Sequence, residues 1–304
     1  MSEFETSRRA CLFGAAALLA APVVDALAAE LQAPAVKRGY VDGPYGQIHY
    51  RLARPARSAK PPLLCLHASP LSSIVFDRWI REIGKDRIAV APDTPGYGGS
   101  DTPPRPVEIA DFAAAMIRFL DEMKLGAVDV MGYHTGSLTS IELARRFPKR
   151  IRRVVLISAP NWSDAERAAS RARVGGVAPT YEQMLENTLN GYRKDGKGLF
   201  RDMPDEQYFD LQVERMRHYR TSNWGFRAAY NYDTLGAMQE VKQPLLVLNP
   251  EDDVYDRTLR VQALIDAGKL RNVRVHDFPG WTHGHLDVHT VEMADVVRAF
   301  LDAA

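Results

Sequence analysis

The sequence predicts an α/β fold: a mostly parallel sheet covered by helices on both faces, with a long helical insertion. Three observations predict it. Short continuous apolar runs alternate with stretches of three- and four-residue apolar spacing. A glycine-framed turn, Gly132-Tyr133-His134-Thr135-Gly136, directly follows one of the apolar runs. About eighty residues, 161–241, then break the alternation with helical stretches and no convincing strand. The 304 residues, 46% of them hydrophobic, are enough for one sizeable core with an inserted subdomain. The formal net charge is +1, so no field of one sign points to nucleic acid or a membrane surface as a partner.

The chain opens on Ser7-Arg8-Arg9-Ala10-Cys11-Leu12, which resembles a twin-arginine export motif with cysteine where phenylalanine is commoner. The apolar run from Leu12 to Ala21 is too short to span a bilayer and is followed by Pro22 and the small-residue site Ala26-Leu27-Ala28. Residues 1–28 are therefore expected to be a signal peptide, and the mature chain to work in the periplasm. Of the two cysteines, Cys11 belongs to that segment and Cys65 to the apolar run Leu63 to Leu66, so no internal disulfide is expected. Cys65 reads as a small buried hydrophobe.

The elements follow in order. Val36 to Val41 and Gln47 to Leu52 alternate around Asp42-Gly43-Pro44-Tyr45-Gly46, which predicts an antiparallel hairpin. Leu63 to Leu66 predicts a buried strand, Phe76 to Ile83 a helix, Arg87 to Ala91 the next strand, and Pro92 to Ser100 a tight loop. Ile109 to Met123 is an amphipathic helix. Val128 begins the strand that runs into the glycine-framed turn, and a helix follows from Thr135 to Phe147, closed by Pro148. Val154 to Ile157 is a further strand. The predicted division is a first core part at 29–160, a helical cap at 161–241 and a second core part at 242–304. The last part contains strands at Leu245 to Leu248 and Val273 to Phe278, and a closing helix from Val291 to Leu301.

Four motifs surround the turn in a fixed order. His67-Ala68-Ser69-Pro70 is similar to an H-G-x-P loop, and Asp93 to Ser100 to a D-x-P-G-x-G-x-S loop. Pro250-Glu251-Asp252-Asp253 is similar to a G-x-x-D acid loop, and Pro279-Gly280-Trp281-Thr282-His283 to a P-G-x-x-H loop. Together with the strand–turn–helix layout of a G-x-S-x-G nucleophile elbow, they make everything after residue 35 resemble the α/β-hydrolase superfamily, in its capped forms. The resemblance implies an eight-stranded, mostly parallel sheet. It also implies a nucleophile at position 134, an orienting acid at Asp253 (with Asp252 the alternative) and a catalytic His283. The departure is that position 134 is histidine rather than serine.

That histidine admits several chemistries. A neutral imidazole is nucleophilic near neutral pH without a base to deprotonate it. His134 would attack an ester to give an acyl-imidazole, and His283, oriented by Asp253, would activate the water that cleaves it. A helix N-terminus at Thr135 would favour the neutral ring, and backbone N–H groups of Ser69 and Thr135 would form an oxyanion hole. Hydrolysis of a carboxylic ester or related acyl compound is thus the leading expectation. A His–His acid–base pair serving a lyase, decarboxylase or isomerase is the second, and an inactive small-molecule-binding protein the third. His134, His283 and Asp253 also form a two-histidine, one-carboxylate set. These loops are expected to hold a hydrogen-bonded row rather than a tripod, so no metal is expected. Ser137 is rejected as nucleophile because its flanks do not give G-x-S-x-G. His285 and His289 are expected at the surface or behind the site. Trp224, Tyr230, Tyr232 and Trp281 are the expected substrate contacts. No nucleotide or flavin fingerprint is present, so the expected partner is a small-molecule substrate with no cofactor. The sequence is silent on oligomeric state.

Overall fold

The computed structural model describes residues 34–174 and 178–303. The twin-arginine motif, Cys11 and the Ala26-Leu27-Ala28 site lie outside the described residues. The first hairpin forms as expected from its alternation, with β1 at Lys37–Gly43, β2 at Gly46–Ala53 and a register closing at Gly43 and Gly46. Then come β3 at Leu63–Leu66, α1 at Asp77–Ile83, β4 at Ala89–Pro92, α2 at Ile109–Glu122, β5 at Val128–Tyr133, α3 at Thr135–Arg146 and β6 at Ile151–Ile157. The insertion holds α4 at Asp164–Val174, α5 at Tyr181–Asp195, α6 at Asp205–Arg217, α7 at Trp224–Asn231 and α8 at Thr234–Glu240. The sheet resumes at β7, Leu245–Pro250. Two short helices that the sequence did not announce, α9 at Tyr255–Leu259 and α10 at Val261–Asp266, precede β8 at Val273–Phe278. The chain closes with α11 at His285–Val288 and α12 at Thr290–Leu301.

The eight strands form one sheet in the order β1-β2-β4-β3-β5-β6-β7-β8. The first two are antiparallel to their neighbours and the rest run parallel. Strands β3, β5 and β7 are buried along their whole length, which is why β3 and Leu245 to Leu248 of β7 read as continuous apolar runs; β5 interrupts its run with Asp129, whose carboxylate is met by Arg152 at 2.8 Å. Side chains alternate between two cores. Leu63, Cys65 and Met131 face Trp79, Ile83, Val297 and Leu301. Leu64, Leu66 and Val130 face Met116, Phe119, Ile141 and Leu143. Cys65 is fully buried, and burial pushes its thiol well above the usual range.

Two strands depart from expectation at their starts: β6 begins at Ile151 rather than Val154, and β4 begins later than expected. Arg87 does not enter β4. Its guanidinium is fully buried and reaches Asp302 at 2.7 Å and Asp86 at 3.2 Å. A charged side chain is buried here because two carboxylates meet it, which an apolar-run reading of Arg87 to Ala91 misses.

Candidate active site

The site is set by the register of β3 on β5. Leu66 lies opposite Gly132, so the loop after β3 and the turn after β5 emerge side by side. Both glycines of the turn are required by close approach. A Cβ on Gly132 would lie 2.2 Å from the carbonyl oxygen of Gly136, and one on Gly136 2.0 Å from that of Leu66. Between them His134 sits at φ 48°, ψ −112°, a strained conformation for a residue with a Cβ. The turn is pinned from behind. The His134 N–H donates to Ile157 at 3.0 Å, and the buried Ser137 hydroxyl lies 2.8 Å from the carbonyls of Gly132 and Ile157. Ser137 is therefore a structural member of the turn.

The side chains form two histidine–aspartate pairs rather than one row. His134 Nε2 is 2.9 Å from Asp252 Oδ2, and His283 Nε2 is 3.0 Å from Asp253 Oδ1. The pairs adjoin, with His134 Nε2 3.9 Å from Asp253 Oδ1 and ring centroids 5.3 Å apart. The Tyr133 hydroxyl meets His283 Nδ1 at 2.5 Å, so both nitrogens of that ring are engaged. His134 Nδ1 has no hydrogen bond to the described residues. Asp252 is fixed by the Val254 N–H, which donates to Oδ1 at 2.9 Å. The structure thus brings His134, His283 and Asp253 together, adds Asp252 as the direct partner of His134, and adds Tyr133 behind His283.

The electrostatics follow from those pairs. Burial works against a charged His134 ring, yet the charge of Asp252, the hydrogen bond to it and the charge of Asp253 lift its pKa above the ordinary histidine value. The helix N-terminus had suggested a neutral ring; two carboxylates within 4 Å reverse that bias. Burial opposes ionisation of Asp252 too, but His134 holds it well below the usual carboxylate range; the hydrogen bond to His283 lowers Asp253 as well, against its own burial. Burial and the two nearby carboxylates keep the Tyr133 phenol protonated. His285 is not at the surface: it is 1% exposed, its Nδ1–H donates to Thr282 at 2.8 Å, and burial pushes its pKa down to about 4. His289 stacks on Trp281 at 4.1 Å.

Ser69 and Thr135 also meet, the Ser69 N–H pointing at Thr135 Oγ1 over 3.4 Å. The insertion closes on this pair. A Cβ on Gly225, at the start of α7, would lie 2.1 Å from the Ser69 hydroxyl. The Tyr97 hydroxyl beside it accepts from the Gly225 N–H at 2.8 Å and is pushed up to about 12 by burial.

The expected substrate contacts are mostly spent on packing. Tyr230 sits edge-on to Trp162 at 4.9 Å, Tyr232 donates to Glu142 at 2.9 Å, and Trp281 is sandwiched between Phe278 and His289. Trp224 lies partly buried by the Pro95-to-Gly99 loop, near Gly96. The residues that do face His283 come from elsewhere. Phe200 stacks on its ring at 4.8 Å, and Leu71, Val75, Met203 and Leu211 line a space of about 10 Å³ beside it. A much larger open groove of about 780 Å³ lies outward of it and shares Val75, Leu211 and Asp287.

Comparison with known proteins agrees with this architecture. A family model described as the alpha/beta hydrolase fold matches residues 61–191. The chain is 25% identical over 264 residues to a poly(3-hydroxyalkanoate) depolymerase of Ectopseudomonas oleovorans, covering 82% of this chain and 87% of that one. It is 24% identical to the 2-hydroxy-6-oxo-2,4-heptadienoate hydrolase of Pseudomonas putida, covering 69% and 79%. A hydrolase structure from Pseudomonas aeruginosa superposes with a TM-score of 0.70 at 19% identity over 88% of this chain and 99% of that one. The chain has the α/β-hydrolase fold.

Proposed function

We propose that the protein hydrolyses a carboxylic ester or related acyl compound, with His134 at the elbow as the attacking group. The observation that carries this is the side chain at φ 48° backed by Asp252 at 2.9 Å. With Nε2–H donated to Asp252, the lone pair resides on Nδ1. Nδ1 attacks the acyl carbon and the C–O bond breaks; the departing alkoxide takes a proton from water, and the hydroxide so formed adds to the acyl-imidazolium, releasing the acid and restoring the neutral ring. Ser69 and Thr135 N–H groups stabilise the tetrahedral oxyanion. The orienting acid for His134 is then Asp252, while Asp253 and Tyr133 hold His283. Substrate enters from the open groove and displaces Phe200, Met203 and Leu211, because a ligand site of roughly 300 Å³ or more exceeds the space beside His283.

The narrowness of that space favours a second reading, a ligand-binding protein without turnover. The two adjoining His–Asp pairs favour a third, acid–base chemistry in a lyase or isomerase. One experiment separates them: turnover of a panel of acyl esters by the mature protein, His134→Ala and His134→Ser. Saturable turnover reduced at least ~100-fold in His134→Ala supports the hydrolase. Turnover should rise with pH as the His134 ring loses its proton, through a pKa above the ordinary histidine value. No turnover by the wild type, with strong activity in His134→Ser, moves the function to acid–base chemistry or binding.

We also propose that residues 1–28 direct twin-arginine export to the periplasm. Replacing Arg8 and Arg9 by lysine should leave uncleaved precursor in the cytoplasm, scored by fractionation; unchanged export would discard the proposal.

A further inference from the structure

We propose that His134, Asp252, Asp253 and His283 form a binding site for one divalent transition-metal cation, such as zinc. Each of the four offers one ligand atom, and these atoms all lie within 4.8 Å of one another. Three of the separations between a histidine nitrogen and a carboxylate oxygen are 2.9, 3.9 and 3.0 Å. Bonds of ~2.0–2.2 Å to a tetrahedral ion separate neighbouring donors by roughly 3.3–3.6 Å, so small side-chain shifts suffice. Two imidazoles and two carboxylates make a donor set suited to zinc, iron or manganese.

Charge points the same way. With both rings neutral the four side chains carry two negative charges, which one divalent ion would balance. The supporting contacts are already in place. Both histidines present Nε2 to the centre, and the Tyr133 hydroxyl meets the other nitrogen of His283 at 2.5 Å, as an outer partner of a ligating histidine does. Asp252 keeps its second oxygen on the Val254 N–H and leaves Oδ2 for the ion. A serine at position 134 would supply no imidazole to this set.

An ion held by Nε2 leaves the ring proton of His134 on Nδ1, so the loaded site excludes attack by this ring and the two readings are separable. The test is a Zn²⁺ titration of the chelator-treated mature protein in competition with a chromophoric chelator, repeated with Co²⁺ to read ligand-field bands. One ion per chain is expected. His134→Ala and His283→Ala should each weaken binding at least ~100-fold, and Tyr133→Phe roughly 10-fold. Asp253→Asn should weaken it as well, and because Asp253 is 55% exposed this change leaves the core intact. His276→Ala, at an exposed histidine on β8, should have no effect. Absence of stoichiometric binding would overturn the site. So would binding unchanged in His134→Ala, His283→Ala and Asp253→Asn. Ion binding without ester turnover would sustain the site and remove the hydrolase reading; turnover without ion binding would do the reverse.

Discussion

Asp252 and His134 depend on one another for their charge, and the dependence is measurable. His134 has its pKa raised above 6.5 and Asp252 has its own lowered below 3.8. The histidine's contribution to stability is whole below its unfolded pKa and fades as pH rises through the folded one; the aspartate's is whole above its unfolded pKa and fades as pH falls through the folded one. Both are present between about pH 4 and 6.5. In that window, with a chelator present, Asp252→Asn should cost about 3 kcal/mol in urea unfolding, and the deficit should shrink above it. A deficit independent of pH would mean that the pair is not ionic. At this scale the sequence exposed the elbow histidine and the acid and histidine loops, because each carries a glycine- or proline-marked turn. It left Asp252 and Asp253 undecided, since adjacent residues in a turn differ by side-chain direction, which only the path after β7 fixes. Tyr133 was missed because a tyrosine closing an apolar strand reads as core; its place immediately before the elbow was the available clue.

Among the elements, the β3–β5 contact bears most directly on the site. Gly136→Ala would place a Cβ 2.0 Å from the carbonyl of Leu66, on backbone that cannot swing away. The expected loss is about 3 kcal/mol by urea unfolding, together with loss of ligand binding; near-wild-type stability would show that the two strands can part. Gly225→Ala presses instead on the Ser69 hydroxyl, where α7 meets the loop after β3. Because the added carbon would also lie 2.3 Å from the Ser69 Cβ, the change should alter KM for any ester turned over and cost about 1–3 kcal/mol of stability. The elements themselves were legible where burial makes a strand uniformly apolar or a helix amphipathic, as in β3 and α2. They were not legible at α9 and α10, five and six residues long, where only Thr258 and Val261 are buried and periodicity has too few turns to register. The aromatic residues of the insertion were visible as a group. Their directions were not, because Tyr232 is drawn to Glu142 on α3, distant in sequence.

Across the whole molecule, Arg87, just before β4, ties the first third of the chain to the residue after α12 through Asp302. Lys60 reaches the same carboxylate at 2.6 Å. Asp302→Asn should lower stability by about 2 kcal/mol, since the buried Arg87 guanidinium loses a charged acceptor, whereas Arg87→Met, which removes the buried charge and leaves partly exposed carboxylates, should cost less; little change in Asp302→Asn would show the tie to be solvated. Among the described residues no helix is long and apolar enough to cross a membrane. The insertion has a further property that follows from where it is spliced in. It leaves the sheet at the end of β6 and returns at β7, and these two strands are hydrogen-bonded neighbours in register from Val154 and Leu245 to Ile157 and Leu248. Its two ends are thus held a strand's width apart by the core alone, whatever lies between them. Helices α4 and α5, which bury no residue, can be lengthened, shortened or exchanged without moving a strand, whereas Leu211 of α6, Ala228 of α7 and Met238 of α8 are packed into the cores. What the chain accepts as a ligand is therefore free to diverge independently of the turn that holds His134.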